Sequence, residues 1–486
     1  MAAYINIFTD PELDQLAEAA LGLLEDVGVM YQSDVLLDAL ERAGAKVDRV
    51  SQRARLPRRM IEEIVTRQRE RQAPEAPAEA RRDPASPDAA LPGLTLQVAQ
   101  FYYDHERGER RRGNRQDLAS MAQFGEALDE RNRVDHVLLM HEEAASVEPL
   151  EALVVLMEHT ARPGLTYPHF AAQLPYLEEI GEIWAGNSWR FMSEGAGVFL
   201  VSPLRMDRRA CDLLVALARR GIGCGTSTQP VSGVTAPVTR AGAIVTGAAE
   251  ILAGWAALSA LDPELTPHGS ICSGAVDMVT GNVTFCSPET MMQDIGCVEL
   301  LRRRFGGHVG VAGGSDYTSA KFPGYQAGFE KAFEAMAISA YTGGHPHLGS
   351  GLLESGKMFS PLQLLVDREF QSFLWRFAAG VPVSADEIAR EEISAVGAGA
   401  ARSHLDTEHT LRHYRQSLWF PALLDRRVWQ GEREEEQGDK RLRERAQAQF
   451  REVMARYRPP EVDQDKLARV KQVVARARRE LVEVAR

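Results

Sequence analysis

Positive charge is the first thing the chain is short of. Lys and Arg number 56 against 68 Asp and Glu, a net charge of -12, and no stretch is basic for long enough to follow a phosphate backbone. A nucleic-acid partner is therefore not expected. Cysteine is scarce too: Cys211, Cys224, Cys272, Cys286 and Cys297 are an odd set with no C-x-x-C pair. That excludes a disulfide framework and fits a reducing, cytoplasmic compartment. Met1 to Asp10 lack a cationic start leading into an apolar run, so no secretory signal is read there. The most lipid-like stretch, Ala243 to Leu261, is interrupted by Glu250 and rich in Ala and Gly, which suits a close-packed helix, and no membrane association is expected. G-x-S-x-G and H-E-x-x-H are both missing, so a hydrolase reading has no anchor. Cys272, Cys286 and Cys297 with His268 and His308 match no compact zinc spacing, and no metal is assigned. Gly221, Gly223 and Gly225 follow a helical pattern and enter a strand, the reverse of what a dinucleotide site needs.

What remains is an ordinary globular composition, 44% hydrophobic and 26% charged, able to bury a large core. Residues 1–72 read as a helical segment, with Leu13, Leu16, Ala20, Leu23 and Leu24 at helical spacing and Asp10 placed as N-cap before Pro11. Residues 73–93 carry Pro74, Pro77, Pro84, Pro87 and Pro92 among Ala, Glu and Asp, the texture of a linker or excursion. From 94 to 410, strand-like runs at Val137–Met140, Phe199–Ser202, Gly223–Thr228 and His308–Ala312 alternate with amphipathic stretches such as Asp207–Arg220 and Gln326–Tyr341. That alternation predicts an α/β fold with parallel strands and helices outside, and its length favours a closed (β/α)8 barrel of the TIM type. Residues 411–486 read as a charged helical extension broken at Pro459 and Pro460.

The unusual residues crowd into two segments, Gly313–Phe333 (GGSDYTSAKFPGYQAGFEKAF) and Tyr341–Gly356 (YTGGHPHLGSGLLESG), where strands should end. Both resemble the trimethylamine methyltransferase family, whose members show G-x-S-D-A-K-x-P-D-x-Q-A-G-Y-E-K and a later L-E-S-G. The stretches Gln229–Gly254, Ser202–Asp207 and His409–Arg426 are similar as well, so the resemblance covers nearly the whole chain. Departures are the Pro-rich excursion, Phe322 and Gly324 around Pro323, and Tyr317 where a small residue is usual.

The resemblance implies a barrel enzyme that hands a methyl group from an amine to the cobalt of a cobalamin (corrinoid) carried by a separate corrinoid protein. Founding members of the family contain pyrrolysine, and this sequence has none. A quaternary amine needs no such electrophile, because it leaves as a neutral tertiary amine, and a glycine betaine-like compound is therefore the expected substrate. The loop residues matching the family pattern, Asp316, Gln326 and Glu330, are the candidate catalytic groups. Lys321 is a candidate for substrate binding or for pairing with Asp316 or Glu330. Gln229 and Thr235 are expected at strand ends, aimed into the barrel mouth or capping the next helix. Glu354 would orient Lys321 or a ligand hydroxyl, or stand as an acid at a helix N-terminus, and His345 or His347 would grip a carboxylate. Tyr167, Phe199, Tyr317, Tyr325 and Tyr341 are candidates for a cage around the cation. Direct transfer to tetrahydrofolate and a non-catalytic quaternary-amine binder stay open as alternatives. Apolar residues Leu418, Trp419, Phe420 and Leu423 suggest a homo-oligomer, a dimer in the simplest case.

Overall fold

A computed structural model of the chain describes residues 5–71, 91–188, 190–191, 197–307, 309–344, 346–400, 402–429, 431 and 438–483. The Pro-rich segment lies outside these apart from its last three residues, as do His308 and His345.

The fold is α/β. Its centre is a four-stranded parallel sheet, Gly197–Leu200, Gly225–Thr228, His268–Ile271 and Val309–Val311, arranged in sequence order. Helices alternate with these strands: Arg208–Ala218, Arg240–Leu261 and Pro288–Phe305 each carry the chain back to the start of the next. The helix Arg240–Leu261 is the long apolar run noted above. It is buried against strand and helix neighbours, with Trp255 fully enclosed and donating to the His268 carbonyl at 3.2 Å. Small residues make that approach possible: a Cβ on Gly254 would fall within 2.1 Å of Thr226, and one on Gly307 within 1.8 Å of Trp255.

The expected closed barrel is not drawn by continuous strand pairing. Among the described residues the strands form four separate sheets. The runs around 94–99, 134–138 and 163–166 are also parallel to one another, but they pair only through bridges at Ala99–Leu138 and Val134–Pro163. Pro163, at the start of the third run, has no backbone donor to give its ladder.

Two other expectations change at the N-terminus. The first segment is not purely helical: Val29–Tyr31, Lys46–Asp48 and Arg53–Arg55 form a small sheet that Arg205–Met206 joins. Thr9, and not Asp10, caps the first helix, because Glu12 reaches back to the Thr9 amide at 2.8 Å. Asp10 instead pairs with Arg303 and Arg304. At the other end, the helices Gly438–Arg456 and Gln464–Arg478 flank the break at Pro459 and Pro460. One continuous apolar core runs from Leu13 through the sheet to Val474, so the helical lead-in and extension pack on the same body.

Candidate functional site

Strand register decides which side chains face away from the helices. Phe199, Ser227, Ser270 and Gly310 are matched across the sheet, while Thr226 and Gly269 on the opposite side press on the helix Arg240–Leu261. The inner row is thus an aromatic ring, two hydroxyls bonded to each other at 2.6 Å and a glycine. Phe199 remains nearly half exposed although it stands inside a sheet. Below this row, Glu250 braces the strand ends from its helix: it accepts from Ser202 Oγ and the Leu204 amide, each at 2.8 Å, and from Thr228 Oγ1. Burial holds its carboxyl above the ordinary range.

Where the strands end, Gln229 Nε2 points at Cys272 Sγ, 3.8 Å away. The next loop brings Asp316 and Tyr317. Asp316 is buried, and burial raises its carboxyl against the opposing pull of His347, Lys331 and a Ser350 hydrogen bond. Its Oδ1 has no hydrogen-bond partner. The Tyr317 ring is clamped between Gly313 and Gly356, whose Cβ positions would lie 2.6 and 2.4 Å from ring carbons, and Phe285 stands 6.2 Å away centroid to centroid. Both glycines have positive φ, 70° and 80°, so a side chain at either would strain the backbone as well as strike the ring.

A second layer of acid lies beside them. Glu334, one turn beyond Glu330 on the helix Tyr325–Thr342, is buried with Oε2 unpartnered. Burial, then the nearby carboxyls of Glu330 and Asp294, push it up to about 9 despite Lys331. Asp294, wholly buried, accepts from the Ser273 amide at 2.7 Å and is itself raised by burial. The thiols of Cys272 and Cys286 are likewise pushed up, by burial first and by these carboxyls second. Lys331, the cation nearest to the cluster, is committed elsewhere: its Nζ sits 2.7 Å from Asp367 and 3.2 Å from the Gly349 carbonyl. Asp294, Asp316 and Glu334 thus form a set of buried carboxyl groups around the strand ends, with Lys331 paired to Asp367.

The trimethylamine methyltransferase profile matches residues 1–482. The chain belongs to the trimethylamine methyltransferase family. It is accordingly a methyl-transferring enzyme. A trimethylamine methyltransferase MttB of Desulfitobacterium hafniense (strain DSM 10664 / DCB-2) is 26% identical over 418 residues, covering 84% of this chain and 82% of that protein. A glycine betaine methyltransferase of D. hafniense (strain Y51) is 23% identical over 495 residues, with 98% of both chains covered. The solved monomethylamine methyltransferase of Methanosarcina barkeri aligns over 86% of this chain and 87% of its own with a TM-score of 0.45 and 12% identity.

Set against the family segments, the sequence candidates separate into groups. Asp316 and Tyr317 come together with Gln229 at the strand ends, and His347 follows on the exposed rim, its carbonyl accepting from Ser315 Oγ. Glu330 is a fully engaged brace: Thr318 Oγ1 at 2.5 Å, the Ser319 amide at 2.7 Å and Gln326 Nε2 at 2.8 Å all donate to it. Lys321 is exposed and donates to the Ser319 carbonyl at 2.6 Å, pairing with neither Asp316 nor Glu330. Glu354 does not reach Lys321 and opens no helix. It lies in the hairpin turn between Leu353 and Met358, with φ of 51°, and binds Arg110 at 2.5 Å. Thr235 closes its own turn by accepting from the Val231 amide at 2.9 Å, while Thr239 occupies the N-cap of the following helix.

Among the cage candidates, Tyr167 spends its hydroxyl on the Gly197 carbonyl at 2.6 Å. Tyr325 is solvent-exposed on an apolar groove of about 670 Å³ that lies between helices and the C-terminal extension, away from the strand ends. Tyr341 lies in the last turn of the helix that Tyr325 begins, about 24 Å along its axis, and that helix packs on the Gly314–Asp316 turn. Glu334, Asp294, Cys272 and Cys286 were not singled out as site residues. The four-residue step from Gln326 to Glu330 to Glu334 along one helix face is the signal that could have found the first of them.

Proposed function

We propose that this enzyme removes a methyl group from a quaternary amine of the glycine betaine type and passes it to a corrinoid held by a second protein, at the strand ends of a closed (β/α)8 barrel. The observation that carries the reading is the set of buried carboxyl groups of Asp316, Glu334 and Asp294 around Tyr317. Two of the three carboxyls have an oxygen without a hydrogen-bond partner, and Lys331, nearest to them, is already paired with Asp367. Such a wall favours a permanent cation and gives it an aromatic face to rest on. Barrel closure is supported by the sequential parallel order of the central strands and by the parallel bridges of the three runs before them.

The corrinoid supplies the nucleophile, a reduced cobalt, for in-line displacement at the methyl carbon. The tertiary amine leaves neutral with its electron pair, so no general base is needed. The chain's residues act by alignment and by exclusion of water. Tyr317, fixed by its glycine clamp, orients the cation. Asp316 and Glu334 offset its charge once the cation draws them into the ionised form, and Gln229 or the exposed His347 receives a substrate carboxylate. His347, Lys321 and Gln326 stand exposed around the rim, which suits a cofactor delivered by a partner better than one enclosed in this chain. Because charge on nitrogen is lost as the reaction proceeds, the aromatic contact serves binding more than rate. Five unpaired cysteines fit a cytoplasmic setting, and exposed apolar side chains such as Leu418 and Phe420 fit a homo-oligomer.

The test is a screen of methylated amines with free reduced corrinoid, following the cobalt spectrum and the demethylated product, with tetrahydrofolate as the other acceptor. Turnover of betaine-like compounds above trimethylamine, with corrinoid and without folate, is the expected result. Preference for trimethylamine, transfer to folate alone, or binding without turnover would each overturn part of the reading.

A further inference from the structure

We propose that Asp386, His409 and His413 form a binding site for a divalent transition-metal ion, zinc by the character of its ligands, separate from the methyl-transfer site. His409 and His413 are four residues apart on the helix Glu408–Ser417, and their rings stack with centroids 4.4 Å apart. Asp386, from the short helix Ala385–Ile388, crosses to meet them. One ligand atom from each of the three lies within 4.8 Å of the other two. Two imidazoles and a carboxylate are a borderline-soft donor set that zinc accepts, with a fourth position left for water.

The state of His413 is the second observation. Its side chain is buried, and its Nε2 lies 3.0 Å from Asp386 Oδ2, yet that nitrogen makes no hydrogen bond. A buried ring nitrogen left beside a carboxylate without a bond is the arrangement a shared cation would satisfy. The other ring nitrogen, Nδ1, is 3.0 Å from the Gln416 amide. With that amide turned to present its oxygen, Nδ1–H donates to it and Nε2 offers its lone pair outward, the usual orientation of a ligating histidine. Tetrahedral ligands at about 2 Å from zinc stand about 3.3 Å apart. The His413–Asp386 separation already meets this, and the half-buried His409 ring, whose Nε2 lies 3.0 Å from the Asp386 carbonyl, exchanges that hydrogen bond for the ion as it turns inward. The opposing charge is Arg412, whose guanidinium is 3.5 Å from Asp386 Oδ1. It leaves Oδ2 as the single free carboxylate oxygen and tempers the affinity.

A bound ion would tie the stretch around Asp386 to the helix carrying both histidines, closing the intervening chain into a loop. The experiment uses the full chain without an affinity tag, stripped with a chelator and titrated with zinc chloride by calorimetry. Wild type should take up one equivalent more than the His409→Gln/His413→Gln double variant. Either single variant should weaken that uptake at least about tenfold, and Asp386→Asn should weaken it less. Cobalt(II) in place of zinc should give the intense visible bands of a tetrahedral site in wild type only. Zinc should raise the melting temperature and slow proteolysis within 381–407 in wild type and not in the double variant. Zinc uptake and cobalt spectra that are the same in wild type and double variant, or no uptake by wild type, would overturn the proposal. His409→Gln, at the more exposed ligand, keeps the comparison open if replacing the buried His413 disturbs folding.

Discussion

Tyr317 owes its position to two residues that have no side chain. Gly313 and Gly356 close on its ring from both sides, so the phenol cannot swing away when a ligand enters. A desolvated cation against such a ring gains up to about 2 kcal/mol, a factor of roughly thirty in binding. Tyr317→Leu should therefore raise KM for a betaine-like substrate by up to about thirtyfold and change kcat little, measured as methyl transfer to reduced corrinoid.

Glu334 sets a pH dependence of definite sign. Its folded-state pKa, about 9, lies above the ordinary value of 4.5. Between those values the folded protein keeps a proton that the unfolded chain has released, so stability falls as pH rises through this window. Glu334→Gln should flatten that fall in denaturant titrations between pH 5 and about 9. A quaternary amine favours the ionised carboxylate, so its affinity in wild type should rise with pH over the same range. An affinity profile unaltered by the substitution would remove Glu334 from the cation site.

At the level of elements, the helix Tyr325–Thr342 does three jobs with three of its faces. Gln326, Glu330 and Glu334 line the side toward the loop after Val309–Val311. Lys331 and Ala335 are buried against the helix Pro361–Ala378 and the Gly349–Gly351 turn, while Ala327 packs on Ala320, Leu353 and Met358. Tyr325, Phe329 and Phe333 face solvent. The Lys331–Asp367 pair, wholly buried, joins the first helix to the second, and Asp367 also accepts from Gly351 and Gln363. Removing one member leaves a buried charge without its partner, at a cost of about 3–5 kcal/mol. Lys331→Met should lose that much in urea unfolding. The Lys331→Met/Asp367→Leu double variant should regain most of it, because the uncompensated charge is gone.

At the scale of the molecule, two neighbouring helices and the extension leave a run of large apolar side chains exposed. Tyr325, Phe329, Phe333, Phe373 and Phe377 come from the two helices just described, and Leu418 and Phe420 from the extension. Leu423 is buried, and Trp419 packs on Phe373 while donating to Ser372, so only part of the apolar run expected to drive association is free to do so. Large apolar side chains left exposed together in this way mark a candidate association surface. Light scattering at micromolar concentration should give a dimer or larger, and Phe329→Glu combined with Phe377→Glu should shift the mass toward the monomer. A wild-type monomer would count against self-association.

The sequence by itself determined the family, the alternation of strand and helix, the burial of the Ala-rich helix and the loop that carries Asp316 and Tyr317. Each of these is written in contiguous residues, as a motif or a local period. Strand length in the first half of the body escaped it, because how far a ladder extends depends on pairing partners distant in sequence, and these runs meet only at isolated bridges. The carboxyl cluster escaped it for a different reason. Asp294, Asp316 and Glu334 are far apart along the chain and belong to three elements, and an isolated Glu on a helix reads as a solvated face until the fold removes its water. The same holds for Lys321 and Lys331, ten residues apart. The motif singled out the first, which the fold leaves at the surface, and passed over the second, which the fold buries against Asp367. Residue type and spacing are local properties, whereas charge state and partner depend on what the tertiary structure brings within a few ångströms and shields from solvent.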